Sequence, residues 1–220
     1  MAKIFSVVTK SVLSRVLDPM ARALLRAGVT PNAVTVAGTV GVLAGAAIFA
    51  VRGQLIAATV VITLCALLDV LDGVMARLRG TASRFGALLD STMDRLADGA
   101  IFGALAYWLG TTGRRWPAAA ALGCLVLGQL VSYVKARAEG LGLSANVGVA
   151  ERFERLVIVG LGGLAYGFGV PYALDAALWL VLVLSVVTVG QRLRHAYLSD
   201  AATGSAPGEP AGSGQADAAG

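Results

Sequence analysis

Apolar residues run along this chain in six long stretches, at 32–51, 55–77, 86–109, 117–138, 153–170 and 172–191, and the polar residues gather at their ends. A helix needs about 20 such residues to cross the hydrocarbon core of a bilayer, so the pattern predicts an all-α integral membrane protein with six transmembrane helices. The period-two alternation of a membrane strand is missing. Ahead of the first stretch the pattern changes. Phe5, Val8, Val12, Val16, Met20 and Leu24 recur at helical spacing, while Lys3, Lys10, Arg15, Arg22 and Arg26 interrupt them. That is the pattern of an amphipathic helix lying in the headgroup plane. It should break near Asp18-Pro19 and stop at Gly28, and Thr30-Pro31 then supplies the cap and first-turn proline of the next helix. Three regions follow: a juxtamembrane segment 1–29, a six-helix domain 30–198, and a tail 199–220 whose Ala, Gly, Ser and Pro content predicts disorder.

Composition agrees, with 57% hydrophobic and 14% charged residues and a mean hydropathy of +0.76, outside the soluble globular range. Charge adds an orientation. Placing the N-terminus in the cytoplasm puts 15 of the 18 Lys and Arg residues on that side, and only Arg52, Arg114 and Arg115 opposite. The net charge of +5 thus reads as a topology signal, with an inner basic face suited to anionic lipid or phosphate and no call for nucleic acid. Glycine numbers 28, often at small-xxx-small spacing as in Gly41 and Gly45, which lets membrane helices approach closely. Cys65 and Cys124 lie inside apolar runs without metal-ligand spacing and read as buried small hydrophobes. His195 is the only histidine, at a polar helix end. Acid-base chemistry therefore falls to carboxylates.

The carboxylates are concentrated in one stretch, "LLDVLDGVMARLRGTASRFGALLDSTMDRLADG" from Leu67 to Gly99. Asp69 and Asp72 share a helix face that Gly73 and Ala76 continue with almost no side chain. Gly86, Asp90 and Asp94 form a matching stripe on the next helix, with Asp98 one turn further on. The short polar turn between them predicts antiparallel neighbours whose four acids converge at the cytoplasmic end. Four negative charges in a low-dielectric site demand compensation, and two divalent cations would supply it, oxygen-only ligands favouring Mg²⁺ or Mn²⁺. Two other readings of the residues stay open: an ion or proton pathway, and buried salt bridges with Arg77, Arg84 and Arg95.

The spacing D-x2-D-G-x2-A-R-x8-G-x3-D-x3-D, met by Asp69, Asp72, Gly73, Ala76, Arg77, Gly86, Asp90 and Asp94, resembles the signature of the CDP-alcohol phosphatidyltransferase family. With the six spans and the amphipathic helix, the likeness extends over roughly residues 3–197. It implies that a CDP-linked lipid such as CDP-diacylglycerol donates its phosphatidyl group to an alcohol, with release of CMP. It also implies that Asp69 and Asp90 bridge two Mg²⁺ ions, Asp72 and Asp94 complete their shells, and Asp94 is the general base. Gly73 would leave room for cytidine, Arg77 would meet the nucleotide phosphate, and Asn32, Ala33, Val34, Thr35 and Ser83 would contact the CDP moiety. Helix capping and plain packing are the alternatives for Asn32 and Thr35. A homodimer in the cell membrane is the assembly the resemblance implies.

The acceptor has to be read elsewhere. "SYVKARAEGLGLSANVGVAERFERLVIV" brings Lys135 and Arg137 near Arg152 and Arg155, and Arg192 can join from the last span. Several cations beside a metal site make sense for an anionic acceptor. The K-A-R-A-E and E-R-x-E-R runs resemble the actinobacterial members of the family that use 1D-myo-inositol 3-phosphate, which implies Lys135, Arg152, Arg155 and Arg192 as its phosphate ligands. For Arg152 a solvated ion-pair turn with Glu151 and Glu154 is the alternative. Glycerol 3-phosphate is the competing acceptor. A divalent-cation transporter, the competing class, would place acids along several spans, and here they cluster at the ends of two.

Overall fold

The computed structural model describes residues 17–80 and 83–204, without the side chains of Asp69 and of residues 202–204, and the regular structure among them is entirely helical. After α1 (17–26) come α2 (Pro31–Ile48), a single 3-10 turn (Ala50–Arg52), α3 (Leu55–Arg79), α4 (Arg84–Thr111), α5 (Arg115–Gly140), α6 (Arg152–Gly167) and α7 (Ala173–Gly204). All six apolar stretches are therefore helices. Among the described residues four segments are long and apolar enough to cross a membrane: Pro31–Arg52, Leu55–Arg79, Arg115–Gly140 and Ala173–Ala201. The other two differ for visible reasons. α4 carries Arg84, Asp90, Asp94, Arg95 and Asp98 before its apolar run, and α6 has only 16 residues.

Local chemistry sets the boundaries. Gly28 takes a left-handed φ of +79°, and the N–H groups of Gly28 and Val29 donate to the carbonyls of Leu25 and Leu24, closing α1. Thr30 then accepts a hydrogen bond from the Ala33 N–H at 3.2 Å with Pro31 in the first turn of α2, as its sequence predicts. Residues 17–26 form one helical run that includes Asp18-Pro19; the earlier part of the predicted interfacial helix lies outside the described residues. Leu17 and Ala21 pack on Val34 of α2 and on Leu71, Val74 and Met75 of α3. At the other end of the chain α7 runs on to Gly204, past the expected boundary at 198, because Ala-rich 199–204 contains no proline and the Ser199 hydroxyl accepts from the Ser144 N–H at 3.4 Å. The remainder of the predicted tail lies outside the described residues.

The two acidic helices are held through a third: among the described residues α2 packs against both α3 and α4, and α6 against α3. The cause is the small-residue stripe of α2. Gly38, Gly41 and Gly45 face α3 so closely that a Cβ at Gly41 would collide with Cys65 Sγ, and one at Gly45 would stand 3.0 Å from Val61 Cγ1. With α2 wedged between them, the two acidic helices border a cleft instead of closing on each other. Behind it Phe102, Leu105 and Leu109 of α4, Cys124 of α5 and Leu174, Leu178 and Val181 of α7 form the main buried cluster. At the end of the bundle opposite the acids, Arg114 pairs with Asp175, and its guanidinium lies 5.0 Å from the ring centre of Tyr166. Tyr166 in turn meets Trp108 edge-on, with ring centres 5.8 Å apart.

The α6–α7 pair is the least forgiving of these contacts. A Cβ on Gly162 would collide with Ala177 Cβ and stand 3.0 Å from the Ala173 carbonyl oxygen, and neither group can swing away. Gly162→Val is expected to destabilise the protein by about 1–3 kcal/mol through overpacking. A lower thermal-unfolding midpoint in detergent would register it, and an unchanged midpoint would contradict the close approach.

Candidate active site

The C-terminal turns of α3 carry Asp69, Asp72, Gly73 and Arg77, and the first turns of α4 carry Gly86, Asp90 and Asp94. Both stripes lie at the end of the bundle where α5 finishes and α6 begins. Asp72 is buried, and its Oδ2 accepts a hydrogen bond from Thr35 Oγ1 of α2. Thr35 is thus a partner of the acidic cluster as well as a residue in the first turn of its helix, where its hydroxyl also lies 3.2 Å from the Pro31 carbonyl oxygen. Ser83 caps α4, its hydroxyl accepting from the Gly86 N–H at 2.9 Å. Asn32 joins it, since a Cβ on Gly86 would come 3.5 Å from Asn32 Oδ1 and 3.1 Å from Ser83 Oγ. Helix starts on α2 and α4 therefore bring Asn32, Thr35 and Ser83 to one rim. Arg77 folds back over the bare face of Gly73, 3.6 Å from where a Cβ would sit. Ala33 is exposed, whereas Val34 is buried in the α1 cluster and backs the site.

Across the cleft stands α6. Arg152 Nη1 is 2.6 Å from Asp94 Oδ1, and its Nε donates to Asp98 Oδ1 at 3.2 Å. Arg155, three residues on, donates from Nη2 to Asp98 Oδ2 at 3.0 Å and from Nη1 to the Ala150 carbonyl at 3.2 Å. Arg95 adds a longer pairing to Asp94, at 3.5 Å. Of the arginines in the ion-pair alternative, Arg95 reaches Asp94, and Arg152 of α6 supplies a closer guanidinium. Nor does Arg152 pair with Glu151 or Glu154. Glu151 goes to Arg192, at 3.1 Å.

Arg192 is almost wholly enclosed, with Nη1 on the Val131 carbonyl at 2.6 Å and Nε on the Val147 carbonyl at 2.9 Å. It ties α7 to the end of α5 and to the 141–151 loop. Thr188 helps from the same helix, its hydroxyl accepting from the Ala150 N–H at 3.1 Å. Of the four cations predicted for the acceptor, Lys135 and Arg152 are half-buried, and Arg155 and Arg192 are closed off from solvent. Sequence spacing placed them near one another and did not reveal which would be sealed. The residue it left unassigned is Asp98, legible only as one more acid on the α4 stripe.

The donors around the cleft are carboxylate oxygens, the chemistry a hard divalent cation requires. Among the described residues no three acidic or histidine side chains converge on one point; Arg152 and Arg95 reach Asp94, and Thr35 reaches Asp72. The Asp69 side chain lies outside the described parts. From Asp94 and Arg152 a groove of about 650 Å³ runs between α3, α4 and α6, lined by apolar side chains such as Ile62, Val70, Leu105, Leu156 and Leu164.

Carboxylates at two helix ends, arginines facing them and an apolar groove leading away define a membrane-bound site for chemistry on the charged head of a lipid. The sequence signature of the CDP-alcohol phosphatidyltransferases matches residues 28–189, and the chain belongs to that family of transferases. A relative from Streptomyces avermitilis, 48% identical over 207 residues that cover 88% of this chain and 84% of its own, is named phosphatidylinositol phosphate synthase. So is one from Mycobacterium marinum, 46% identical over 199 residues covering 89% and 85%. The fold is similar to that of the Mycobacterium tuberculosis phosphatidylinositol phosphate synthase crystallised with CDP-DAG bound, with a TM-score of 0.81 and 46% identity over 84% of this chain and 95% of that one. The same enzyme in complex with manganese and citrate gives a TM-score of 0.82 at 43% identity, over 91% and 97%.

Proposed function

We propose that this protein transfers the phosphatidyl group of CDP-diacylglycerol to 1D-myo-inositol 3-phosphate and releases CMP, at a site on the cytoplasmic side of the cell membrane. The observation that carries the reading is the placement of Asp94 and Arg152 together at the head of the apolar groove. A general base and a cation for an anionic acceptor there meet the end of a channel fit for an acyl chain. The names of the relatives support inositol phosphate as the acceptor. The six helices α2 to α7 would all span the membrane, α4 and α6 with their polar ends at the lipid headgroups. Two copies would associate, as the family resemblance implies.

In this reading Asn32, Ala33, Val34, Thr35 and Ser83 form the CDP rim, with Gly73 leaving space for the cytidine and Arg77 offering a guanidinium to its phosphate. Asp69, Asp72, Asp90 and Asp94 would hold two Mg²⁺ or Mn²⁺ ions, which when bound neutralise the diphosphate and stabilise the attacking and leaving oxygens. Thr35 holds the Asp72 carboxylate in orientation. Asp94 accepts the proton of the acceptor hydroxyl as its oxygen bonds to the phosphorus carrying diacylglycerol, and the bond from that phosphorus to the oxygen of CMP breaks. Direct transfer is expected, since no Ser, Cys or His stands in the motif as a nucleophile. Lys135 and Arg152 contact the acceptor phosphate, and Arg155 and Arg192 supply fixed positive charge behind them.

The test is CMP release by purified protein in detergent with CDP-diacylglycerol and Mg²⁺, offering inositol phosphate, free inositol or glycerol 3-phosphate. Release with inositol phosphate is expected. Release with glycerol 3-phosphate instead would keep the reaction and replace the acceptor, and release with free inositol alone would remove the role given to the arginines.

A further inference from the structure

Asp98 has no part in the reaction just described, yet it is the most enclosed acidic side chain among the described residues, 2% exposed. It lies one helical turn beyond Asp94 on the same face of α4. Its two oxygens are divided between two arginines of α6: Oδ1 accepts from Arg152 Nε at 3.2 Å, and Oδ2 from Arg155 Nη2 at 3.0 Å. Arg152 is thereby gripped along its Nε edge while Nη1 reaches Asp94 at 2.6 Å. Arg155 is fixed at a second point by the Ala150 carbonyl.

Stability is a weak reason for such an arrangement. Desolvating buried ions offsets most of their attraction, and apolar residues of similar volume often serve as well. A guanidinium is a planar fork, so what a bound carboxylate does provide is direction. Without Asp98, Arg152 would lose the carboxylate on its Nε edge, and Arg155 would be left as an enclosed charge one partner short.

We propose that Asp98 is the positioning residue of the acceptor side: it holds Arg152 and Arg155 so that the Arg152 guanidinium meets the acceptor's anionic group in a fixed orientation beside Asp94. This rests on the reading that the acceptor carries a phosphate. Charge alone predicts the opposite sign. Removing a negative charge near an anion site should tighten anion binding, whereas removing the anchor of the arginines should loosen it.

The experiment is steady-state CMP release by full-length Asp98→Asn protein in detergent, with inositol phosphate and glycerol 3-phosphate each tried as acceptor, together with acceptor binding followed by thermal shift. The acceptor KM is expected to rise about tenfold while the KM for CDP-diacylglycerol stays within about twofold, the signature of lost acceptor binding. Combined with Arg155→Met, Asp98→Asn should add little, because both act through one network. Asp98→Glu, which keeps the charge, should recover part of the acceptor affinity. An acceptor KM that falls, or that rises together with the CDP-diacylglycerol KM, would overturn the proposal. Should Asp98→Asn fail to fold, Asp98→Glu decides: an unchanged acceptor KM overturns the proposal and a selective rise upholds it. A wild-type preference for glycerol 3-phosphate removes only the choice of inositol phosphate, and the Asp98 effect is then read with that acceptor. Turnover with free inositol and neither phosphate overturns both.

Discussion

Asp94→Asn is expected to lower kcat for CMP release by about 10²–10⁴-fold, the contribution of a positioned general base. Asn preserves the shape of the side chain but cannot take the proton of the acceptor hydroxyl, and it weakens the ligand set for a divalent cation. Asp94 is the carboxylate that the structure places at the head of the apolar groove, facing Arg152 at 2.6 Å. The residues proposed for the CDP group stand elsewhere, on the first turn of α2, on the cap of α4 and at Arg77. CDP-diacylglycerol binding should therefore remain measurable in the variant by equilibrium binding. The thermal-unfolding midpoint serves as a control, because a carboxylate paired to an arginine leaves that arginine uncompensated when it is removed. Turnover within tenfold of the wild type would sink the assignment.

Removing divalent cations is expected to bring CMP release to background, with activity restored by Mn²⁺ or Mg²⁺. The magnitude follows from charge. A carboxylate and a phosphate about 4 Å apart repel by about 4 kcal/mol at an effective dielectric constant of about 20. With no cation between them, one such contact is enough to oppose binding or reaction by about three orders of magnitude. The motif sets several carboxylates before a diphosphate. Titration of EDTA-treated protein with each metal reads the effect, and turnover that survives exhaustive chelation would remove the metal role of Asp69, Asp72, Asp90 and Asp94. The manganese complex of the Mycobacterium tuberculosis enzyme makes Mn²⁺ the natural first ion to add back.

The fold and the site were legible in the sequence to different depths. Each apolar stretch became a helix, and the start at Thr30 and the stop at Gly28 follow from side-chain capping and a positive φ, whereas the cap at Ser83 was seen only in the structure. The acidic stripes could be read as well, because residues three and four apart on a helix share a face regardless of what packs against it. The grouping of Asn32 with Ser83 was harder, since 51 positions separate them.

Helix formation, membrane character and the chemical identity of the donors were determined by the sequence alone, because each depends on periodicity, length or residue type within a few turns. The tertiary structure decided which helices touch. The glycines of α2 let it pack closely on α3 while it also meets α4, so a cleft stands between the two predicted neighbours. It also decided that Arg152 faces Asp94 and Asp98 rather than its neighbouring glutamates, that Arg155 and Arg192 are sealed, and that Asp98 joins two arginines. Those outcomes depend on side chains more than forty residues apart meeting in a low-dielectric interior, where a guanidinium takes the carboxylate that packing brings within reach.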